Sequence, residues 1–209
     1  MDIVIKNLYK SFGDNVVLNN VNAVIKHGQV TCLMGQSGVG KTTLLNIMMG
    51  FEKADRGEVL NVPAVKSAVF QENRLCEEFS TLTNIRLVND SLDTDTIMSH
   101  LGAVNLEDAA KQKVNTLSGG MKRRVALVRA ILAQKDILFL DEPFKGLDEG
   151  TKEKVTEYLK ENTKGLTVVM VTHEHDLVHK FDRRVITINH GNIVSDANSA
   201  DWGVFRREN

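Results

Sequence analysis

The chain has 209 residues, a length that suits one domain of about 100 to 200 residues with a core of its own. Hydrophobic residues make up 42% of it and charged residues 25%, proportions that are usual for a folded globular protein and argue against disorder. The formal net charge is -1, so the broad basic surface used in nucleic-acid binding is lacking. We therefore expect no nucleic-acid partner.

The sequence also indicates no segment that enters a membrane. The first twelve residues lack the basic and apolar segments of a signal peptide, and no stretch approaches the roughly 20 apolar residues that a membrane helix needs. The two cysteines have no metal-ligand spacing and fit a reducing compartment. We expect no direct membrane insertion.

The apolar pattern predicts an α/β fold. The first 30 residues alternate between apolar and polar positions, which predicts antiparallel strands. Short apolar runs then predict buried strands of a parallel sheet at 30–34, 68–70, 137–140 and 167–171. Helical patterns follow at 41–49, 151–161 and 174–180, as crossovers between parallel strands require.

Two further segments complete the prediction. Residues 76–117 carry no strong buried strand, and Ile97, Met98 and Leu101 have helical spacing, so we expect an inserted helical lobe. Near the end, apolar residues on both sides of a turn at 190–192 predict a hairpin.

A glycine-rich turn joins the strand at 30–34 to the following helix. It fits the Walker A phosphate-loop pattern and consists of Gly35, Gln36, Ser37, Gly38, Val39, Gly40, Lys41 and Thr42. Such a backbone wraps phosphates with inward N–H groups at a positive helix end. We expect Lys41 to contact the β- and γ-phosphates, Thr42 to ligate Mg²⁺, and Thr43 to add to nucleotide binding. A purely structural turn is the alternative, and Lys-Thr in register argues against it.

A pair of acids ends the apolar run at 137–140. We expect Asp141 to hold Mg²⁺ through water and Glu142 to polarise the attacking water. The alternative is a polar strand end that caps a turn. The phosphate loop favours the catalytic interpretation, because phosphoryl transfer needs a second, carboxylate site.

Residues 117–121 read Leu-Ser-Gly-Gly-Met and precede a helical pattern. This segment resembles the signature motif of ABC ATPases, and the resemblance spans nearly the whole chain. Ser118, Gly119 and Gly120 open a helix whose free N–H groups suit an anion, although an ordinary capped helix is the alternative. Because the chain has its own phosphate loop, we expect the ATP of a second subunit there. Met121 replaces the family's usual Gln. A signature that reads Ser-Gly-Gly-Met and is followed by basic residues is similar to that of ATPases in the nitrate, sulfonate and taurine importer group.

Further positions match family motifs one by one. Gln71 resembles the Q-loop glutamine, which senses Mg²⁺ or water, and His173 resembles the switch histidine at the γ-phosphate. Asp148 resembles the D-loop aspartate of the dimer interface, and Phe12 resembles the aromatic residue that stacks on adenine. The resemblance thus implies catalytic roles for Glu142, His173 and Gln71, with Gln71 also near the metal, and nucleotide contacts for Asp148 and Phe12. Each of these alone has surface or packing roles as an alternative.

The resemblance implies a single ABC ATP-binding domain over 1–209. Residues 1–75 and 130–209 would form the P-loop core with its parallel sheet and antiparallel β subdomain. Residues 76–129 would form the helical subdomain with the signature motif.

The implied function is ATP hydrolysis coupled to solute transport, with ATP and Mg²⁺ as cofactors. The implied partners are an ABC permease with transmembrane helices, a solute-binding protein and a second copy in an ATP-dependent homodimer. The implied location is cytoplasmic, at the inner face of the membrane through the permease. Glu72, Arg74, Leu75 and Phe79 are candidates to line the permease groove, with lobe packing as the alternative for Leu75 and Phe79.

Two rival functions remain at this point. A non-transport ABC ATPase acting on nucleic acid or ribosomes usually has two fused cassettes or long coiled coils, which this sequence lacks. A P-loop GTPase or kinase does not explain residues 117–121, and the guanine-reading Asn-Lys-x-Asp segment is missing. The basic run 122–124 predicts a solvated helix face, with phosphate or partner contact as the alternative.

Overall fold

The computed structural model describes residues 1–181 and 183–198, so the end of the expected domain, 199–209, lies outside the described residues. The strands are β1 (Ile3–Phe12), β2 (Asn15–Ile25), β3 (Val30–Met34), β4 (Arg56–Leu60), β5 (Lys66–Val69), β6 (Ile137–Asp141), β7 (Thr167–Val171), β8 (Arg183–Asn189) and β9 (Asn192–Asn198). The α-helices are α1 (Lys41–Met49), α2 (Thr81–Arg86), α3 (Thr94–Ala103), α4 (Gly119–Leu132), α5 (Glu149–Asn162) and α6 (His175–Val178). The predicted α/β class is confirmed.

The larger sheet has the strand order β5-β6-β7-β3-β8-β9. Its first five strands are parallel, and β9 pairs antiparallel with β8, so the sheet is mixed and the predicted terminal hairpin is confirmed. Every residue of β3, β6 and β7 is buried, because both faces of a parallel sheet are covered.

Successive residues of the central strands enter two separate apolar clusters. Cys32 and Leu138 point to one face, where α4 and α5 pack. Leu33 and Phe139 point to the other face, where α1 and the smaller sheet pack. This alternation follows from the pleat of a strand, in which successive side chains point to opposite faces of the sheet. It determines which residues of each strand contact which layer.

The smaller sheet has the order β2-β1-β4 and is antiparallel, as the alternating pattern near the start of the chain predicted for its first two strands. The sequence pattern missed β4, in which Gly57 has φ 83° and an added Cβ would lie 2.1 Å from the carbonyl oxygen of Asn7. Only glycine fits this close approach between β4 and β1.

The inserted helical region is confirmed as α2, α3 and α4, while the predicted subdomain boundaries remain a prediction. Asp93 caps α3 by accepting a hydrogen bond from the Thr96 N–H at 2.7 Å, as N-cap residues do. In the part of the chain that the structure describes, every helix is too short or too polar to cross a membrane.

Candidate nucleotide-binding site

The phosphate loop and the acid pair meet at one edge of the larger sheet. Leu33 of β3 and Asp141 of β6 both pair with Val171 of the central strand β7, so the carboxyl ends of three parallel strands lie side by side. Ligand sites of α/β sheets form outside such ends. A cavity of about 680 Å³ opens there. Its lining residues are Gly35, Gln36, Ser37, Gly38, Gly40, Lys41, Thr42, Thr43, Gln71, Asp141, Glu142, Lys145, Val171 and His173.

Two glycines hold the phosphate loop against neighbouring backbone. An added Cβ at Gly35, where φ is 138°, would lie 2.2 Å from the carbonyl oxygen of Ile188. At Gly40, where φ is 103°, it would lie 2.7 Å from the carbonyl oxygen of Val17. Gly40 begins α1 without a side-chain cap, so the first N–H groups of this helix keep their capacity to bind an anion.

The Lys41 ammonium lies inside the loop. Its Nζ donates to the carbonyl oxygens of Gly35 at 2.8 Å and Gln36 at 2.7 Å, and the residue is only 7% exposed. Burial lowers the pKa of Lys41, and the charges of Glu142 and Asp141 oppose that shift. Because its hydrogen-bond acceptors are neutral carbonyls, the positive charge of the Lys41 ammonium is not neutralised by them. Phosphate oxygens would supply the negative charge that neutralises it.

Thr42 and Asp141 form a pair of oxygen ligands. The Thr42 hydroxyl lies 3.4 Å from Asp141 Oδ1. Asp141 is 3% exposed, and burial raises the pKa of its carboxyl group. Hydroxyl and carboxylate oxygens are ligands that Mg²⁺ prefers, and a divalent cation would stabilise this buried charge. The residues present therefore fit Mg²⁺.

Glu142 turns sharply out of β6 into the cavity. Its φ is 51°, in the left-handed region that non-glycine residues rarely adopt, and its N–H donates to the Val171 carbonyl at 2.9 Å. Its Oε2 lies 3.0 Å from His173 Nδ1. The turn thus places the carboxylate beside the imidazole at the cavity wall.

The signature segment lies apart from this cavity. Ser118 Oγ accepts a hydrogen bond from the Met121 N–H at 3.2 Å and so caps α4. Gly119 and Gly120 line a second cavity of about 220 Å³, together with Gln71, Asn73, Arg123, Lys145 and Gly146. Among the described residues, the chain's own phosphate loop and its signature segment therefore line separate cavities that share Gln71 and Lys145.

Besides the signature segment, three predicted nucleotide contacts lie outside the lining of the main cavity. Asp148 caps α5 by accepting from Thr151 N–H at 3.0 Å and Thr151 Oγ1 at 2.8 Å, and these bonds lower the pKa of Asp148. Val39 packs against the apolar cluster next to the smaller sheet. Phe12 is 50% exposed at the end of β1, with the Lys10 ammonium 4.8 Å from its ring centre. Their roles toward a nucleotide remain predictions.

Sequence reasoning missed two residues of this region. The expectation of a solvated face at 122–124 is wrong for Arg123, which is 2% exposed. Its position, three and four residues before buried Ala126 and Leu127, was the available signal. Lys145 lines both cavities, and its place just after the acid pair could have indicated it.

Comparison with known proteins identifies the fold's family. A family model described as ABC transporter matches residues 18–145, more than half of the chain. The chain belongs to the ABC transporter family. The aliphatic sulfonates import ATP-binding protein SsuB 1 of Nocardia farcinica is 37% identical over 198 residues, covering 93% of this ABC family member and 80% of SsuB 1.

A second relative is longer than this chain. The spermidine/putrescine import ATP-binding protein PotA of Legionella pneumophila is 34% identical over 209 residues, which cover 91% of this chain. The same alignment covers 57% of PotA, so the chain spans little more than half the length of that relative.

Solved structures confirm the expected ABC ATPase fold. The dimeric structure of MJ0796, a bacterial ABC transporter cassette, matches with a TM-score of 0.83 and 30% identity, covering 94% of this chain and 98% of that one. A dimeric post-hydrolysis structure of MJ0796 with ADP and Pi matches with a TM-score of 0.82 and 29% identity, over the same shares of the two chains.

Proposed function

We propose that this chain is the ATP-hydrolysing subunit of an ABC importer and couples ATP binding and hydrolysis to solute transport through a separate permease. One observation carries the proposal: a single cavity brings the buried Lys41 ammonium together with Asp141, Glu142 and His173. Import ATP-binding proteins among the relatives support the transport role.

Nucleotide binding rests on the phosphate loop. The N–H groups at the uncapped start of α1 bind the phosphates, and Lys41 turns from its loop carbonyls toward the β- and γ-phosphate oxygens. Thr43 adds a contact beside Lys41, and the exposed ring of Phe12 offers one face to adenine.

Hydrolysis is an in-line attack of water on the γ-phosphorus, with ADP as the leaving group. Thr42 and Asp141 would hold Mg²⁺, with Gln71 beside it, and the bound ion would supply positive charge for the transferred group. Glu142 orients the attacking water and accepts its proton. Lys41 stabilises the negative charge of the transferring phosphoryl group. His173 lies 3.0 Å from the Glu142 carboxylate and contacts the γ-phosphate.

The working assembly is an ATP-dependent homodimer on the cytoplasmic face of a permease, with a solute-binding protein delivering the cargo. The dimeric MJ0796 cassette supports the dimer, and the separate signature cavity supports a site completed by a second subunit. Asp148 lies at that dimer interface. We expect no nucleic-acid partner.

The chemical role of Glu142 is tested by Glu142→Gln, which keeps the side chain's shape but removes the base. Phosphate release should fall by about 100-fold or more while ATP binding persists, because Lys41 and the loop are intact. Steady-state phosphate release and calorimetry with ATP measure the two quantities. Glu157→Gln, an exposed change on α5, is the control. Phosphate release from Glu142→Gln at the parent rate would contradict this role.

The permease proposal rests on an exposed apolar surface near the Q-loop. The ring centres of Phe51 and Phe70 lie 5.7 Å apart, and the Arg74 guanidinium carbon lies 3.7 Å from the Phe70 ring centre. Phe79 is 46% exposed. Of the predicted groove residues, Leu75 instead packs against the apolar core. Aromatic and arginine side chains of this kind are typical of interface centres.

We expect the chain to sediment with membranes only when its permease is co-expressed, and Phe79→Asp to reduce that association by about 10-fold through the loss of one apolar anchor. Val65→Asp is a matched control, since Val65 is 48% exposed at the opposite end of β5. Equal sedimentation with and without a permease would contradict the proposal.

A further inference from the structure

Arg123 is a buried cation that joins three segments of the nucleotide-binding region. Its Nη1 donates to the carbonyl oxygen of Phe70 and, at 3.2 Å, to Asn73 Oδ1. Its Nη2 donates to the carbonyl oxygen of Asp141 at 2.8 Å and to that of Glu142. One nitrogen of the planar guanidinium therefore binds the segment around Gln71, and the other binds the acid pair.

Two of the contacted backbone carbonyls belong to residues that line the nucleotide cavity, and the third belongs to a residue that directly precedes a lining residue. Phe70 precedes Gln71, and Asp141 and Glu142 are the acid pair. Glu142 needs such support because its left-handed φ of 51° is unfavourable for a residue with a Cβ. Hydrogen bonds from an ionised donor are stronger than neutral ones, and those to the carbonyls of Asp141 and Glu142 restrain the two peptide groups on either side of the Glu142 Cα.

We infer that Arg123 is a positioning residue that sets the Glu142 carboxylate and Gln71 in register with each other. The inference deepens the proposed ATPase function and rests on it. Arg123 is not among the residues that line the main cavity, and it acts through the backbone of residues that line that cavity or precede them. A misplacement of about 1 Å in a catalytic group is enough to lower a rate by about 100-fold, so such support belongs to the chemistry of the site.

The position of Arg123 on α4 extends this role to the second subunit. Helix α4 begins at Gly119, directly after its cap Ser118, where the proposed dimer brings the partner's ATP, and Arg123 follows Gly119 by just over one turn. A change in the position of α4 on closure of the dimer would therefore reach this chain's own Glu142 and Gln71 through one side chain.

The neighbouring Arg124 supplies a matched control. It also donates to backbone carbonyls, with Nη1 bonded to Val104 at 2.6 Å and Asn105 at 3.0 Å, besides a bond from Nε to Gly120 of its own helix at 3.3 Å. Those carbonyls lie at the end of α3, in the helical region and away from the acid pair. Arg123→Met and Arg124→Met thus remove similar bonds from the same helix, and only the first removes bonds to the acid pair and the Q-loop.

The expected result is a selective loss of turnover. Arg123→Met should lower kcat by about 10- to 100-fold and leave the ATP dissociation constant within about 3-fold of the parent, while Arg124→Met stays within about 3-fold in both. Arg123→Lys should recover little, because a single ammonium nitrogen cannot replace the two separate guanidinium nitrogens that bind the two segments. Phosphate-release kinetics and calorimetry with ATP give both quantities, and thermal unfolding shows whether each variant folds.

A double-variant cycle separates positioning from general damage. If Arg123 acts through Glu142, adding Arg123→Met to Glu142→Gln should lower the residual turnover by less than about 3-fold. A purely structural defect would lower turnover by the same factor in both backgrounds and would overturn the inference.

Other outcomes also decide the question. Parent-level kcat in Arg123→Met, or full activity in Arg123→Lys, would overturn the inference while the proposed ATPase function stands. A parent chain without ATP turnover would contradict the proposed function itself. If Arg123→Met does not fold, the comparison of Arg123→Lys with Arg124→Lys in the same cycle replaces it, since both keep the charge.

Discussion

Asp141 shows how a functional requirement is met at the expense of the free energy of folding. It ends an apolar strand in which every residue is buried, and burial raises the pKa of its carboxyl group. Hydrogen bonding to Thr42 and the charges of Arg123 and Lys41 act in the opposite direction without overcoming burial. The charged carboxylate is therefore destabilised in the chain without metal or nucleotide.

The pH dependence of stability follows from that shift. With a pKa above 3.8 in the folded chain, Asp141 binds more protons folded than unfolded as the pH rises from that value through the raised pKa. Its contribution to the free energy of unfolding therefore falls across this window and stays low above it. A neutral Asn avoids the loss, although it cannot replace the metal ligand.

We therefore predict that Asp141→Asn raises the thermal unfolding midpoint at pH 7 without Mg²⁺ or nucleotide, and that the gain shrinks as the pH falls toward 4. Thermal unfolding followed by circular dichroism at several pH values measures it. Asp136→Asn, at the exposed start of the same strand, should change the midpoint little. A lower midpoint for Asp141→Asn at pH 7 would show that its partners outweigh burial.

At the scale of elements, one buried side chain fastens the segment after the Q-loop to helix α2. Asn84 is 0% exposed, and its Nδ2 donates to the carbonyl oxygens of Cys76 at 2.9 Å and Ser80 at 3.0 Å. Its Oδ1 accepts from the Cys76 N–H at 2.8 Å. Residues 70–80 lack regular secondary structure, and this amide supplies hydrogen bonds to their backbone, because a buried side-chain amide itself needs such partners.

Removal of this amide should therefore be costly. We predict that Asn84→Ala lowers the free energy of unfolding by roughly 2–3 kcal/mol, since it removes the hydrogen bonds of a buried amide to the Cys76 and Ser80 backbone and opens a small cavity. Urea unfolding measures the change. The exposed Asn115, whose Nδ2 donates to Glu78 Oε1 at 3.1 Å, supplies the control, and its change to Ala should cost less than about 0.5 kcal/mol. Equal costs at the two positions would rule out a special role for Asn84.

The elements that the sequence predicted well are those whose pattern reflects burial on both faces. The runs that became β3, β6 and β7 are buried at every position and mostly apolar, and their bounds matched within a residue. Strand β4 has exposed residues and depends on pairing with β1, so no local pattern marks it. Helix α6 is shorter than predicted, because periodicity gives the type of an element better than its ends.

The residues of the candidate site also divide into those that a local sequence pattern marks and those that depend on distant contacts. Lys41 and Asp141 were predicted because each belongs to a short motif in the sequence, Lys41 to the phosphate loop and Asp141 to the end of an apolar strand. Arg123 was missed because its four acceptors come from segments 18 to 53 residues away. A charge on a helix predicts solvation unless the fold brings such acceptors to it.

At the scale of the whole molecule, each chain of the proposed homodimer would carry half of two sites. The main cavity holds Lys41 and Glu142, whereas Gly119 and Gly120 line a different cavity. Ser118 caps α4, and the first two residues of that helix line the second cavity. A second copy related by two-fold symmetry would place its signature segment over this chain's nucleotide and receive the same in return.

A bulky cation at position 118 tests this arrangement. In the Glu142→Gln background, where ATP persists, the parent should change from monomer to dimer on addition of ATP. Ser118→Arg should bind ATP with an affinity within about 3-fold of the parent, because loss of the cap costs only about 1 kcal/mol and lies outside the phosphate loop. It should remain monomeric, because the long side chain occupies the space of the partner's γ-phosphate. Ser99→Arg, on the exposed side of α3, should dimerise like the parent. Light scattering during gel filtration gives the mass with and without ATP. An ATP-dependent dimer of the Ser118→Arg variant, together with normal hydrolysis by Ser118→Arg when Glu142 is retained, would contradict a site built from two chains.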